Sequence, residues 1–447
     1  MQVILAFFAV VSIAALVWVV RDELGRRRRA KHAREVIRLR GGEDGAPPTL
    51  HPDIDPDVCI GSGACVTACP EQHALVIVDG RGHLADAGGC VGHGACAEAC
   101  PVNAITLVFG SARRGVELPE VGPTFETSQR GVYVAGELGG MGLVANAVRQ
   151  GVKAVDSLAD ELSKEVAAAG AMEDVVPLLI VGAGPAGIAA TLRATERNIR
   201  TRTIERETSV GGSVRTYPRG KIVMTHPVEL PLYGRVRLRR TNKDALIELW
   251  EDVIEREKVS IEFGVVVEAI EREDDVLVVR TSAGPIRARR VLLAAGRRGR
   301  PRRLGVKGEE LPHVRAMLED PAQHDGEACL VVGGGDSAVE AALALAERPG
   351  TGVVLSYRGD KLTRVKPESR ARLEALARDG RLRVELGSRV LEIGERDARV
   401  ALAGGREERV PAQVVLALVG RELPTTLLAA CGVDVRTYRG DVPAWLR

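Results

Sequence analysis

Six of the eight cysteines lie between Cys59 and Cys100, in two copies of one short motif. The segment CIGSGACVTACP, which begins at Cys59, recurs as CVGHGACAEACP from Cys90 with the same spacing between its cysteines. Thiolates at such spacings bind iron–sulfur clusters or zinc, and the intervening glycines let the backbone wrap closely around a bound group. The repeat therefore predicts duplicated metal-binding loops, each followed by a short strand, at residues 74–78 and 104–108.

The motif resembles that of the bacterial two-cluster ferredoxins, in which C-x2-C-x2-C-x3-C-P is duplicated and the fourth cysteine binds the other cluster. The resemblance covers about residues 54–109. It implies two iron–sulfur clusters whose ligand sets cross between the copies, Cys59, Cys65 and Cys100 in one set and Cys69, Cys90 and Cys96 in the other.

Each copy departs from the ferredoxin motif at its second cysteine, which is Ser62 in the first copy and His93 in the second. Each implied set is therefore one thiolate short. Such a set is compatible with a 3Fe-4S cluster, or with a 4Fe-4S cluster whose last iron binds Ser62, His93 or water. A neutral imidazole in place of a thiolate removes negative charge and raises the reduction potential of a cluster. Two alternatives stay open, namely that Ser62 and His93 only fill their loops, or that the cysteines bind zinc.

A glycine-rich loop follows an apolar strand at residues 176–181 and precedes a helical segment from Ile188 to Arg197. Its glycines are spaced as G-x-G-x-x-G, which lets the pyrophosphate of a dinucleotide approach the backbone at the start of a helix. Glu205 ends the next strand, at the position where an acid binds the ribose hydroxyls of adenosine. These features predict a dinucleotide-binding unit with the loop residues Gly182, Gly184 and Gly187.

A second unit of the same kind has Gly333, Gly335 and Ala338 in the three fingerprint positions. Its next strand is followed by Arg358 in place of an acid. An arginine there accepts the 2′-phosphate of NADP(H), although NAD(H) stays possible because Asp360 is close along the chain.

The two units resemble the pyridine nucleotide-disulfide oxidoreductases, in the thioredoxin-reductase branch, over about residues 175–435. The resemblance implies FAD on the first loop, with Gly212 along the flavin, and NAD(P)H on the second. The Cys-x-x-Cys pair expected before the second loop is missing, because residues 313–327 contain no cysteine. The late flavin-facing motif of the family is also missing from the C-terminus.

A matching segment, with Gly136 and Glu137 followed by a helix predicted from Leu143 to Leu158, stands before the first glycine loop. We interpret this order as a circular permutation. Glu137 then replaces the usual aspartate beside the flavin, and the dipole of the helix stabilises charge on the reduced flavin.

The N-terminus carries an apolar run from Val3 to Val20, followed by many arginines. The run is long enough to cross a bilayer, and the positive charges after it place the following domains on the cytoplasmic side of the inner membrane. A cleaved signal peptide would carry its charge before the run. The formal net charge of the whole chain is only +2, which argues against nucleic acid as a partner.

These features predict an α/β fold with two Rossmann-like dinucleotide-binding domains, preceded by a small α+β ferredoxin domain and one transmembrane helix. The predicted boundaries are 1–22 for the anchor, 23–50 for a basic linker, 51–112 for the ferredoxin domain, 113–165 for the permuted segment, 175–300 for the FAD domain, 301–415 for the NAD(P)H domain and 416–447 for a return to the FAD domain.

The predicted function is electron transfer from NADPH through FAD and the clusters, or in reverse, to an unknown acceptor. Quinone, cytochrome and soluble redox carrier are all compatible with the motifs. The alternatives are a disulfide reductase that uses external thiols and a redox sensor without turnover. No triad or pair of carboxylates predicts a catalytic side chain.

Overall fold

The computed structural model consists of two compact units, Met1–Pro47 with His51–Val108 and Pro48–Leu50 with Phe109–Arg447. Each unit is described by itself. The residues described are 16, 20, 21, 25, 31, 34, 47 and 49–446, with gaps at 72–73, 88, 113–114, 170–173, 216, 218–221, 225–226, 239, 298–300, 363–364, 366 and 421–423.

Between residues 51 and 108, the described part of the first unit contains two antiparallel strand pairs and two short helices. Strand β1 pairs with β4, and β2 pairs with β3. Both helices start directly after a glycine in the left-handed region, Gly63 with φ 75° and Gly94 with φ 82°, so the motif needs glycine at these positions. The elements are β1 His51–Ile54, α1 Ala64–Ala68, β2 Leu75–Val78, β3 Arg81–Leu84, α2 Ala95–Glu98 and β4 Ile105–Val108.

The second unit begins with a sheet in the order β13-β8-β7-β16-β15-β14. Strands β13, β8, β7 and β16 run parallel, and the residues of β7 are almost all buried because a parallel sheet is covered on both faces. The elements of this part are β5 Val116–Pro119, β6 Val132–Val134, α3 Val144–Ala169, β7 Val175–Val181, α4 Pro185–Glu196, β8 Thr201–Glu205, β9 Ile222–Met224, β10 Val228–Leu230, β11 Gly234–Val236, β12 Arg240–Asn242, α5 Lys243–Arg256, β13 Glu262–Phe263, β14 Val267–Glu273, β15 Val276–Thr281 and β16 Ile286–Leu293.

A second sheet is wholly parallel, in the order β17-β24-β18-β19-β20, and a three-stranded antiparallel sheet accompanies it. The chain leaves the parallel sheet after Ala417. The elements are β17 Val314–Arg315, β18 Ala328–Val332, α6 Asp336–Ala346, β19 Gly352–Tyr357, α7 Pro367–Arg378, β20 Arg383–Leu386, β21 Arg389–Ile393, β22 Asp397–Ala401, β23 Glu407–Pro411, β24 Val414–Ala417, α8 Thr425–Ala430 and β25 Val435–Tyr438.

The segment before the first glycine loop joins the first sheet. Strand β6 pairs in parallel with the C-terminal part of β16, in the register Val132 with Val291. Strand β25, near the C-terminus, pairs antiparallel with β5, and the Phe125 ring stacks on Trp445 at 6.2 Å between centroids. The structure thus places this segment where the predicted circular permutation requires it.

Helix α3 is longer than its prediction, since it continues to Ala169 instead of ending at Leu158. The added turns are held by burial of Leu162, which is 1% exposed, and by an ion pair between Glu165 and Arg290 at 2.5 Å. Residues 159–169, beyond the predicted end of the helix, therefore belong to it.

No helix in the described part of the chain is both long and apolar enough to cross a membrane. On this finding, the predicted single-pass location in the inner membrane is wrong. Even the longest described helix, α3, carries charges along its length, among them Arg149, Lys153 and Asp160. The run from Val3 to Val20, which motivated the prediction, lies outside the described residues except at Leu16 and Val20.

Candidate functional site

Two small cavities lie among the six clustered cysteines. Each cavity draws its thiols from both copies of the motif. The first is lined by Cys59, Cys65 and Cys100 together with Ser62, and the second by Cys69, Cys90 and Cys96 together with His93.

The electrostatic coupling of Cys65 and of Cys96 follows the same grouping, although Cys65 also raises the pKa of Cys69, which lines the other cavity. Burial raises the pKa of Cys65, and the neighbouring Cys59 and Cys100 raise it further. Burial likewise raises the pKa of Cys96 to about 12, with further contributions from Cys90 and Cys69. Three thiolates in a buried cavity repel one another, and a cationic metal centre removes that cost.

Backbone amides donate to two sulfurs of the first cavity. Gly82 N lies 3.3 Å from Cys59 Sγ, and Ala104 N lies 3.3 Å from Cys100 Sγ. Such N–H···S bonds stabilise negative charge on a ligating sulfur and are one determinant of cluster potential. In the described residues, no three histidine, cysteine or acidic side chains form a group that could hold a metal ion, and the thiols instead line the cavities. The cavities, their thiols and the amide donors fit iron–sulfur clusters. The residues that ligate each cluster stay a prediction.

The first glycine loop lies between the end of β7 and the start of α4. At Gly187 a Cβ atom would stand 1.8 Å from Gly182 O, so the helix can approach the strand this closely only with glycine. Gly184 caps α4, and its Cα lies against that of Gly212, where a Cβ on Gly212 would be 3.2 Å away. The structure therefore brings the four predicted glycines of this site together.

Glu205 is the last residue of β8 and is buried, at 6% exposure. Its carboxylate accepts hydrogen bonds from Ala183 N at 2.6 Å and from Glu207 N at 3.0 Å. The carboxylate thus accepts a hydrogen bond from the backbone of the glycine loop, and its binding of the ribose stays a prediction.

Gly136 and Glu137, from the permuted segment, lie beside the same loop. A Cβ on Gly136 would be 2.9 Å from Ala186 Cβ, and Gly136 N donates to Gln150 Oε1 at 2.8 Å. Glu137 is half-buried in the short 3-10 helix that starts at Gly136. Gln150 was not predicted as a site residue. Its signal in the sequence was a polar side chain between Arg149 and Gly151 in the predicted helix.

The second glycine loop lies between β18 and α6, with Gly335 capping the helix. Ala338 packs against the loop, since a Cβ on Gly333 would be 2.9 Å from Ala338 Cβ. The ring of Tyr357 lies so close to the loop that a Cβ on Gly334 would be 2.3 Å from it. Tyr357 was missed by the sequence reasoning, and the exposed Arg358 follows it directly.

Comparison with known proteins agrees with both parts of the chain. Residues 179–442 match the family model described as "Pyridine nucleotide-disulphide oxidoreductase", and residues 51–101 match a "4Fe-4S dicluster domain". The ferredoxin–NADP reductase of Ignicoccus hospitalis is 29% identical over 266 residues, which is 58% of this chain and 81% of the relative. The bacilliredoxin reductase Bdr of Bacillus subtilis is 26% identical over 59% of this chain and 82% of its own length.

Among solved structures, the bacillithiol disulfide reductase Bdr of Staphylococcus aureus superposes with a TM-score of 0.52 at 20% identity, over 59% of this chain and 81% of that one. At this identity the likeness concerns the fold. The family match covers more than half of the chain. The chain therefore belongs to the pyridine nucleotide-disulphide oxidoreductases, and is an FAD-dependent oxidoreductase that also carries a 4Fe-4S ferredoxin domain.

Proposed function

We propose that the chain transfers electrons between NADPH and a redox partner by way of FAD and two iron–sulfur clusters in its own ferredoxin domain. When bound, FAD exchanges a hydride with the nicotinamide and passes electrons singly to iron–sulfur centres. The observation that carries the proposal is the presence of two thiol-lined cavities in the same chain as two dinucleotide loops.

The relatives named ferredoxin–NADP reductases support this proposal. Their name pairs a nicotinamide cofactor with a ferredoxin. In this chain a ferredoxin domain precedes the reductase module, and covalent linkage raises its effective concentration to roughly the millimolar range for a short flexible linker. We therefore infer that the built-in domain takes the place of a separate ferredoxin.

Disulfide reduction is the second candidate, favoured by the relatives named bacilliredoxin and bacillithiol disulfide reductases. Both cysteines outside the ferredoxin domain are unsuited to it. Cys329 and Cys431 are each 0% exposed, and burial raises the pKa of each thiol to about 12. A reductase of this kind would need thiols supplied by a partner.

An anaerobic titration of the full chain with NADPH tests the proposal. We expect the visible absorbance of the flavin to bleach first and the EPR signals of reduced clusters to follow. Flavin reduction that leaves the clusters oxidised at every potential reached would contradict electron transfer between them. A chain with Cys65 and Cys96 both replaced by alanine is the control, and it should show the flavin phase alone.

Replacing Arg358 by alanine is expected to raise KM for NADPH by about tenfold to a hundredfold, which is what loss of a charge-assisted contact of roughly 1.5–3 kcal/mol produces. KM for NADH should stay within about twofold, because NADH lacks the 2′-phosphate. Steady-state kinetics with a ferricyanide acceptor measures both. Arg389→Ala removes another exposed arginine and should change neither constant. An equal rise in KM for NADPH and NADH would show that Arg358 does not bind the 2′-phosphate.

A further inference from the structure

The two cavities differ chiefly in the residue that replaces the fourth cysteine. Ser62 is exposed, whereas His93 is half-buried and its Nε2 atom is buried. The loops that carry them have the same backbone conformation. Gly61 and Gly63 have φ of 67° and 75° around Ser62, and Gly92 and Gly94 have 77° and 82° around His93. The difference therefore arises from the side chains.

Side-chain length decides what each residue can reach. Serine carries its oxygen one bond beyond Cβ, and Ser62 Oγ accepts a 3.5 Å hydrogen bond from Ala64 N at the start of α1. In histidine the Nε2 atom lies on the far side of the imidazole ring from Cβ. In His93 this atom is buried, and the residue lines the second cavity. His93 thus places a ring nitrogen, an atom type that binds metals, inside its cavity.

The rims of the two cavities also differ. Val58, Ile60 and Val66 flank the thiols of the first copy and are 44%, 63% and 36% exposed. The matching positions in the second copy are Gly89, Val91 and Ala97, none of which is exposed. Of these residues only Ile60 lines its cavity, so one exposed apolar side chain lies at the edge of the first cavity.

We propose that the cluster of the first cavity keeps one iron free of protein ligands and binds a small thiolate from solvent there, whereas His93 closes the cluster of the second cavity. This inference rests on the proposed function, since it requires both clusters. A thiolate is the ligand class that iron in these clusters prefers, and the exposed side chain of Ile60 beside the cavity suits the carbon chain of a small thiol. On binding, the thiol loses its proton to solvent and its sulfur displaces the water held by the iron.

The test uses the full chain, reconstituted anaerobically with ⁵⁷Fe and examined by Mössbauer and EPR spectroscopy with and without 2-mercaptoethanol. We expect the thiol to shift one iron site of one cluster. Ser62→Cys should abolish that shift, because its own thiolate fills the site, and Ser62→Ala should retain it. The matched change in the other copy, His93→Cys, should also retain the shift and should lower the potential of the second cluster.

Several outcomes would overturn the inference. The first is that His93→Cys, and not Ser62→Cys, loses the response to thiol. The second is that a response to thiol appears only in Ser62→Ala. The third is that the wild-type chain shows no response while NADPH still reduces both clusters. The last result would leave the proposed function intact. A chain that assembles no clusters would contradict both the inference and the proposed function.

If the protein is isolated with a 3Fe-4S cluster in the first cavity, added Fe²⁺ and thiol should convert that cluster to the four-iron form. Failure to do so would also contradict the inference.

Discussion

Replacing Cys100 by alanine is expected to abolish the cluster of the first cavity and to spare that of the second, even though Cys100 belongs to the second copy of the motif. Cys100 lines the first cavity with Cys59 and Cys65, and removing it leaves only two thiols there. Two thiolates do not hold a cluster that already lacks its fourth cysteine. The variant should therefore lose about half of the iron and acid-labile sulfide bound per chain.

The comparison between variants makes this prediction specific. Cys100→Ala should give the same EPR spectrum as Cys59→Ala, and Cys69→Ala should give the spectrum of Cys90→Ala. Cys329→Ala is the control for removing a buried thiol outside the ferredoxin domain, and it should keep the full iron content. If Cys100→Ala instead matches Cys90→Ala, the ligand sets do not cross between the copies.

The grouping of cysteines around the cavities agrees with the sets implied by the ferredoxin resemblance. Short spacing accounts for Cys59 with Cys65 and for Cys90 with Cys96, whereas Cys100 and Cys69 each join a cavity from the other copy. The strands after each copy could also be predicted, at 74–78 and 104–108 against Leu75–Val78 and Ile105–Val108 in the structure. A chain that must return to the same cavity after a few residues has few conformations open to it. The glycine loops could be predicted for the same reason, since strand, turn and helix follow one another directly.

Contacts between distant segments could not be predicted from spacing. Gln150 accepts a hydrogen bond from Gly136, 14 residues away, only because its helix packs there, and Tyr357 contacts the second glycine loop only because a strand ends beside it. The length of α3 depended on Arg290, which lies in β16 and pairs with Glu165. The likeness of the permuted segment to a family motif indicated its role, but its register on β16 comes from the sheet alone.

Replacing Gly151 by alanine is the second change for which we expect a large effect. Gly151 lies in α3, where the packing against α4 is so close that a Cβ would stand 2.2 Å from the backbone oxygen of Ala186. In an open helix the same substitution stabilises by up to about 1 kcal/mol. Here overpacking against backbone outweighs that gain, at a cost of about 1–3 kcal/mol.

Because Ala186 belongs to the glycine loop, the strain falls on the site that we assign to FAD. Relieving a 2.2 Å contact with Ala186 O requires either α3 or the first turn of α4 to move, and Gly136 contacts that turn, since a Cβ on Gly136 would be 2.9 Å from Ala186 Cβ. We therefore expect a fall in Tm of about 1–4 °C together with weaker binding of FAD. Differential scanning calorimetry and flavin release on dilution measure the two effects. Gly142→Ala is the matched control, since a Cβ there meets nothing within 4 Å and should leave both quantities unchanged. A Gly151→Ala chain that retained FAD and melted no earlier than the wild type would mean that the segment before the loop does not form part of the flavin site.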